Sequence, residues 1–331
     1  MTNPPLLGEF GRIARFFKPL AAGFAGARGL RDDAAVFAVP EGRELVVTTD
    51  ATVAGVHFFP DDDPGDIAAK LLRTNLSDLA AMGAEPLAYT LVTALPRGVG
   101  EEWLAGFAAG LGADQARFGI GLAGGDSVST GGPITLSVTA FGLVPAGQAL
   151  PRWGGRVGDR LFVTGSIGDA ALGLQVALGK LDIPDETTRA HLLRRLRRPD
   201  PRSGIGPRLI GVASGALDVS DGLVADLGHL CEESGCAAVI EAERVPLSEA
   251  ARGAIDGDAA RLALALTGGD DYELLFSAPE TARAALADLA RESGVPITEI
   301  GVLTEGPPGA VTVLDGQGVP LDLPRRGWDH F

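Results

Sequence analysis

Leu45-Val46-Val47-Thr48-Thr49-Asp50 is a short apolar and β-branched run that ends on a carboxylate. It reads as a buried strand delivering Asp50 at its C-terminal edge. The next pattern, Ile67 to Met82, has helical period: Ile67, Leu71, Asn75, Asp78 and Met82 line one face, so Asn75 and Asp78 interrupt an otherwise apolar stripe. Working outward, strands are expected over Leu87 to Leu95, Ile120 to Ala123 and Ile134 to Leu143, with a helix over Glu102 to Phe118. Strands alternating with helices predict an α/β or α+β domain. Around Ala146 to Gly158 the text becomes rich in Pro and Gly, which places a domain boundary there: residues 1–148 and 149–331. The second half opens with a strand over Arg160 to Thr164, a turn at Gly165 to Gly168 and a helix from Asp169. An Arg-rich helix over His191 to Arg198 follows, with Arg194, Arg195, Arg197 and Arg198 read as a solvated face. A strand into Asp218 and a helix over Leu223 to Glu233 repeat the first half's pattern of carboxylate between strand and helix.

Composition narrows the function. A chain of 331 residues with 46% apolar side chains can bury a core in each of two domains. The balance of 28 basic against 43 acidic residues gives a net charge of −15, which excludes the basic surface that nucleic-acid binding needs and disfavours an anionic membrane. Cys231 and Cys236 stand alone, with no second pair and no spaced histidines, so they read as structural thiols. Glu9 and Arg12 come before any apolar stretch long enough for a signal peptide, and no run approaches ~20 apolar residues, so the cytoplasm is the expected address.

Aspartates recur where chains usually turn: Asp32-Asp33, Thr48-Thr49-Asp50, Gly124-Gly125-Asp126, Asp218-Val219-Ser220-Asp221-Gly222 and Gly268-Gly269-Asp270-Asp271. Each alone is ordinary turn or helix-cap chemistry. Together, if they converge, they repel by about 1 kcal/mol per pair at ~4 Å in water and by more at lower dielectric, so cations must lie between them. Oxygen donors without His or Cys suit Mg²⁺, which would also reverse the sign of an acidic site toward a nucleotide triphosphate. The lysines are Lys18, Lys70 and Lys180, none in a G-x4-G-K-[ST] loop. No H-R-D, D-F-G, G-x-S-x-G or H-E-x-x-H string occurs. Nucleotide handling by metals and backbone amides remains, with Gly124-Gly125 allowing close approach to phosphate.

These segments resemble the aminoimidazole-ribonucleotide synthetase superfamily and, within it, the thiamine-monophosphate kinase family. The resemblance runs from Gly8-Glu9-Phe10 to Trp328-Asp329-His330-Phe331 through V-V-T-T-D-A-T-V-A-G-V-H-F, N-L-S-D-L-A-A-M-G-A, L-A-G-G-D, L-D-V-S-D-G-L-V-A-D-L-G-H and G-G-D-D-Y-E-L-L-F. It implies a two-domain fold, an N-terminal mixed sheet with helices that dimerises through its strands and a C-terminal α/β domain completing an acidic cleft. It implies ATP-dependent phosphorylation of thiamine monophosphate to thiamine pyrophosphate by direct in-line transfer. Carried over by motif, Asp33, Thr48, Thr49, Asp50, Asp78, Asp126, Asp218 and Asp221 are Mg²⁺ ligands, with Asp50, Asp78, Asp126 and Asp218 central to catalysis. Gly125, Asp126, Arg152 and Ser220 contact ATP, and His57, Asp270 and Trp328 contact the substrate. Taken without the family, His57 in G-V-H-F-F reads as a core histidine and Arg152 as a solvated linker cation. Asp270 is one methylene shorter than the glutamate many relatives carry. The competing functions are another ATP-dependent enzyme of the superfamily, or an Mg-nucleotide-binding module without turnover.

Overall fold

The computed structural model describes residues 8–323. One compact unit ends at Gly147; the second takes in Ala80–Gly83 and runs on from Gln148.

The first unit begins with α1 (Glu9–Arg12) and a series of tight turns. It continues through β1 (Arg43–Val53), α2 (Pro64–Ala81), β2 (Glu85–Pro96), α3 (Glu101–Phe118), β3 (Gly121–Thr130) and β4 (Thr135–Pro145). The sheet order is β1-β4-β2-β3. Its β1/β4 and β2/β4 pairs are antiparallel and β2/β3 is parallel, which makes the expected mixed sheet. A parallel pair needs a crossover, and α3 supplies it. Strict alternation on β4 sorts the two faces: Leu136, Val138, Ala140 and Val144 are buried, while Thr135, Ser137, Thr139, Phe141 and Leu143 are half-buried. The buried side chains of α2 (Ile67, Leu71, Leu72, Leu76, Leu79) and α3 (Leu104, Phe107, Leu111) belong to this unit's core. The two helices are joined by a buried bidentate pair, with Arg73 Nε and Nη2 donating to the Asp114 carboxylate at 2.8 and 2.7 Å.

Several expected boundaries shift, and one expected exposure is reversed. β1 continues three residues past Asp50, because Ala51 to Val53 pair with Ser137 to Thr135. α2 stops at Ala81, so Met82 lies outside the helix. β3 runs on through Gly124-Gly125-Asp126, which therefore sit in a strand and not in a turn. In the second unit Arg195 is 4% exposed and not solvated, for the reason given below.

The second unit contains β5 (Arg160–Thr164), α4 (Asp169–Ala177), α5 (Glu186–Arg197), β6 (Gly215–Asp218), α6 (Leu223–Ser234), β7 (Ala237–Glu241), α7 (Glu249–Ile255), α8 (Ala259–Thr267), β8 (Leu274–Ala278), α9 (Arg283–Ser293), β9 (Ile297–Thr304) and β10 (Val311–Leu314). The sheet order is β10-β7-β9-β5-β8-β6. Its central strands are apolar on both faces, as a sheet covered on both sides requires. Leu161, Val163 and Leu275 pack with Leu223, Leu227 and Leu230 of α6. Phe162, Leu274 and Phe276, alternating with them, pack with Leu286 and Leu289 of α9.

Candidate active site

In the first unit the period of β1 decides which side chains can meet. Thr48 and Asp50 share the face of buried Thr52, and Thr48 Oγ1 donates to Asp78 Oδ2 at 2.5 Å. That bond supplies a partner for the carboxylate interrupting the apolar stripe of α2. Burial pushes the Asp50 carboxyl above its usual range, and a protonated His57 nearby would pull it partly back. His57 occupies the turn after β1, where its ring Nδ1 accepts from Val53 N at 3.1 Å and its backbone N–H donates to Val53 O at 3.0 Å. With Nδ1 accepting, the neutral ring carries its proton on Nε2. Thr48, Asp50, Asp78 and His57 therefore form one polar group at the β1 edge.

Thr49 belongs to the opposite face: its Oγ1 meets Val138 O and Thr139 Oγ1, each at 3.1 Å. Gly125 and Asp126 lie on β3, the other outer strand, with β4 and β2 between it and β1. Three strand spacings put Asp50 and Asp126 roughly 14 Å apart across the sheet. Asp126 is exposed, and its Oδ1 accepts from Ser127 N at 2.8 Å. Gly125 has φ +153°, and a Cβ there would come within 1.8 Å of Leu91 O, so strand packing itself demands glycine. Asp33 is exposed in a bend beside Asp32, which pairs with Arg28 at 2.9 Å.

In the second unit two loops run side by side. Asp218 closes β6 at 7% exposure, and Val219 to Gly222 lead into α6. Asp270 N donates to Ser220 O at 2.9 Å, Tyr272 N to Val219 O at 2.8 Å, and Val219 N to Glu273 O at 2.8 Å. Asp218, Ser220, Asp221 and Asp270 are thereby held in one place. Asp270 and Tyr272 both have positive φ, +73° and +52°, a conformation that costs a non-glycine residue about 1 kcal/mol or more. Tyr272 Oη donates to Asp270 Oδ1 at 3.1 Å. Gly222, at φ +121°, has no room for a side chain, since a Cβ would meet Thr267 O at 2.5 Å.

Asp226 was not singled out from sequence, yet it reaches back from the first turn of α6 to accept from Asp221 N and Gly222 N, both at 3.0 Å. Burial, with a smaller push from Asp221, drives its carboxyl up to about 7. The signal was present in D-V-S-D-G-L-V-A-D, where an acid in a helix's first turn faces unpaired backbone N–H groups. Arg152 lies elsewhere in this unit. Its exposed turn is tied through Gly155 N to Ser234 Oγ at 3.1 Å, at the far end of α6 from Ser220. Twelve helical residues separate those ends by about 18 Å. Gly168 N and Ala170 N, which a phosphate would use at the head of α4, donate instead to Asp271 at 2.8 and 3.4 Å. Trp328 lies outside the described residues.

The donor chemistry suits a hard dication: Thr hydroxyls, carboxylates and backbone carbonyls, with no sulfur. Among the described residues no three His, Cys, Asp or Glu side chains are grouped closely enough to hold a metal ion. Mg²⁺ commonly takes one or two carboxylates and completes its octahedron with water and substrate phosphate, so the Thr48, Asp50 and Asp78 oxygens are the kind of donors it would use.

Comparison with known proteins gives these features a common frame. Residues 31–144 match the N-terminal domain of AIR synthase related proteins, and residues 156–314 match their C-terminal domain. The thiamine-monophosphate kinase of Salmonella typhimurium is 43% identical over 325 residues, 98% of each chain. A crystal structure of thiamine-monophosphate kinase from Stenotrophomonas maltophilia superposes with a TM-score of 0.80 at 42% identity, covering 86% of this chain and 89% of that one. AaThiL complexed with AMPPCP and TMP gives a TM-score of 0.77 at 29% identity over 100% of both chains. A solved HypE structure, at 20% identity and a TM-score of 0.76, shares the fold. The chain belongs to the thiamine-monophosphate kinases of the AIR synthase related family.

Proposed function

We propose that this chain transfers the γ-phosphoryl group of ATP to thiamine monophosphate, yielding thiamine pyrophosphate and ADP. The observation that carries the reading is the match over the full length of both chains to AaThiL, a relative complexed with AMPPCP and TMP. A phosphate oxygen of thiamine monophosphate forms the new bond to the γ-phosphorus in line with the breaking bond to the β,γ-bridging oxygen, whose electron pair leaves with ADP. The substrate phosphate is already a nucleophile, so positioning and charge neutralisation matter more than a general base.

Asp33, Thr48, Thr49, Asp50, Asp78 and Asp126 in the first unit, and Asp218 and Asp221 in the second, would hold Mg²⁺. Mg²⁺ supplies neutralisation of the phosphate charge when bound. For Thr49 the hydroxyl is engaged on the sheet, which leaves its backbone carbonyl as the donor. Ser220, Gly125 and Asp126 would contact ATP, with Arg152 meeting the nucleotide away from the Ser220 loop. His57 offers a donor at Nε2 and Asp270 a carboxylate to thiamine monophosphate, and Trp328 a flat face to its cationic ring. The exposed Leu45, Val47, Val92 and Val128 of the first unit support a homodimer formed through that sheet. Among the described residues no helix is long and apolar enough to cross a membrane. With the acidic balance, this supports action in the cytoplasm, away from nucleic acid and membrane.

Incubation with ATP, Mg²⁺ and thiamine monophosphate should yield ADP and thiamine pyrophosphate in equal amounts. Thiamine and a no-acceptor mixture serve as controls. Tight ATP binding with no thiamine pyrophosphate would point to a nucleotide-binding module and reject the kinase reading.

A further inference from the structure

Asp271 and Glu273 are both 0% exposed, and the proposed reaction uses neither. They alternate with Asp270 and Tyr272 and form the centre of a buried ionic network. Glu273 accepts from Thr164 Oγ1 at 2.7 Å, from Arg195 Nη2 at 3.0 Å and from Arg202 Nε at 2.5 Å, and Arg202 Nη2 closes a second bond to it. Arg195 Nη2 also donates to the backbone carbonyl of Asp271 at 3.2 Å, and its Nε faces Asp169 at 3.8 Å. The second bond is the informative one. It grips the peptide between Asp271 and Tyr272, inside a segment whose residues 270 and 272 both carry left-handed backbone angles. Gly165 shows how closely the network is built, since a Cβ there would lie 2.1 Å from Glu273 Oε1.

Ionic groups buried to this extent are weak stabilisers, and well-packed apolar residues often serve stability as well. A strained backbone persists only where its surroundings over-determine it. We propose that Arg195, Arg202 and Glu273 are positioning residues that hold the Asp270–Tyr272 backbone in its left-handed course and so present the Asp270 carboxylate to thiamine monophosphate. The inference rests on the substrate-contact role given to Asp270 above. Asp270 Oδ1 accepts from Tyr272 Oη at 3.1 Å, and the arginines act on Asp270 through the backbone they hold.

The test is a double-mutant cycle on the full chain with Asp270→Ala and Glu273→Gln, reading KM for both substrates, kcat and thermal midpoint. Glu273→Gln should raise KM for thiamine monophosphate about tenfold with a much smaller effect on KM for ATP, and should add nothing further to KM for thiamine monophosphate in the Asp270→Ala background. Arg202→Met, at the network's edge, takes the place of Glu273→Gln if that variant does not fold, and Arg202→Lys should recover part of the loss. Suppose Asp270→Ala raises KM for thiamine monophosphate, but Glu273→Gln moves only the midpoint, affects both substrates alike, or adds its own increment in the double variant. The network is then structural and the proposal falls while the role of Asp270 stands. An unchanged KM for thiamine monophosphate in Asp270→Ala removes that role and the proposal with it.

Discussion

Cys231 and Cys236 are both buried free thiols. Burial pushes Cys231 up to about 12, and since the thiolate is the reactive form, neither residue should behave as a nucleophile. Iodoacetamide at about pH 8 should leave the native protein unmodified and alkylate both thiols after denaturation; rapid labelling of the native state would contradict the burial argument. Asp271 is the corresponding case for an acid. Burial holds its carboxyl well above the ordinary aspartate range, against the opposing pull of Gly168 N–H and Arg195 and with the repulsion of Asp169 and Glu273. In the window between the ordinary and the raised value, the native state binds more protons than the unfolded chain, so stability falls as pH rises. Asp271→Asn keeps the shape and removes the titration. Urea melts of variant and wild type should therefore diverge in the variant's favour on going from about pH 4 toward neutrality. A pH-independent difference would show that the carboxyl is not shifted.

Between elements, the decisive contacts join residues far apart in sequence. Arg73 and Asp114, with side chains 7% and 4% exposed, join α2 to α3. Asp114→Ala leaves a buried guanidinium without its carboxylate and should cost about 3–5 kcal/mol in a denaturant melt, whereas replacing both residues with apolar ones should cost much less. A loss below about 1 kcal/mol would mean that water reaches Arg73. The same distance in sequence explains what could be read from the chain alone. The alternation of β4 and the period of α2 are local, and both elements formed close to where the pattern put them. Gly124-Gly125 was misread because two glycines look like a turn, and nothing in the sequence shows the carbonyl of Leu91 that forbids a side chain on β3. Arg195 was misread because its partner Glu273 is 78 residues away, and R-R-L-R-R alone describes a wet helix equally well. The carboxylates of the proposed site were visible as D-V-S-D-G and G-G-D-D-Y. Asp226 and Glu273, which brace those loops from behind, carried only the weaker signal of acids set among apolar neighbours.

At the scale of the whole molecule, a net charge of −15 on each chain opposes self-association, so a dimer interface has to be nearly free of acids. The open face of the first unit's sheet is apolar over β1, β4 and β2, with the exposed Asp126, in register with Val92, as its acid on β3. Leu45, Val47 and Thr49 of β1 pair in register with Leu143, Phe141 and Thr139 of β4, and Val92 lies beyond them on β2. Phe37 packs on Phe141 with ring centroids 4.7 Å apart, closing one end of the patch and leaving Val47 and Val92 53% and 41% exposed. Two such faces related by a two-fold axis would bury the same residues on each chain and pack about 10 Å apart, as stacked sheets do. The wild type should then sediment at twice 33.9 kDa, and Val47→Glu, which places a new carboxylate in each half of the interface, should shift it toward 33.9 kDa. Added salt should tighten the wild-type dimer by screening the repulsion between acidic chains, and should rescue Val47→Glu only slightly because its charges are desolvated on association. A wild type that stays at 33.9 kDa across micromolar concentrations, with full kinase activity, would detach the open sheet face from function.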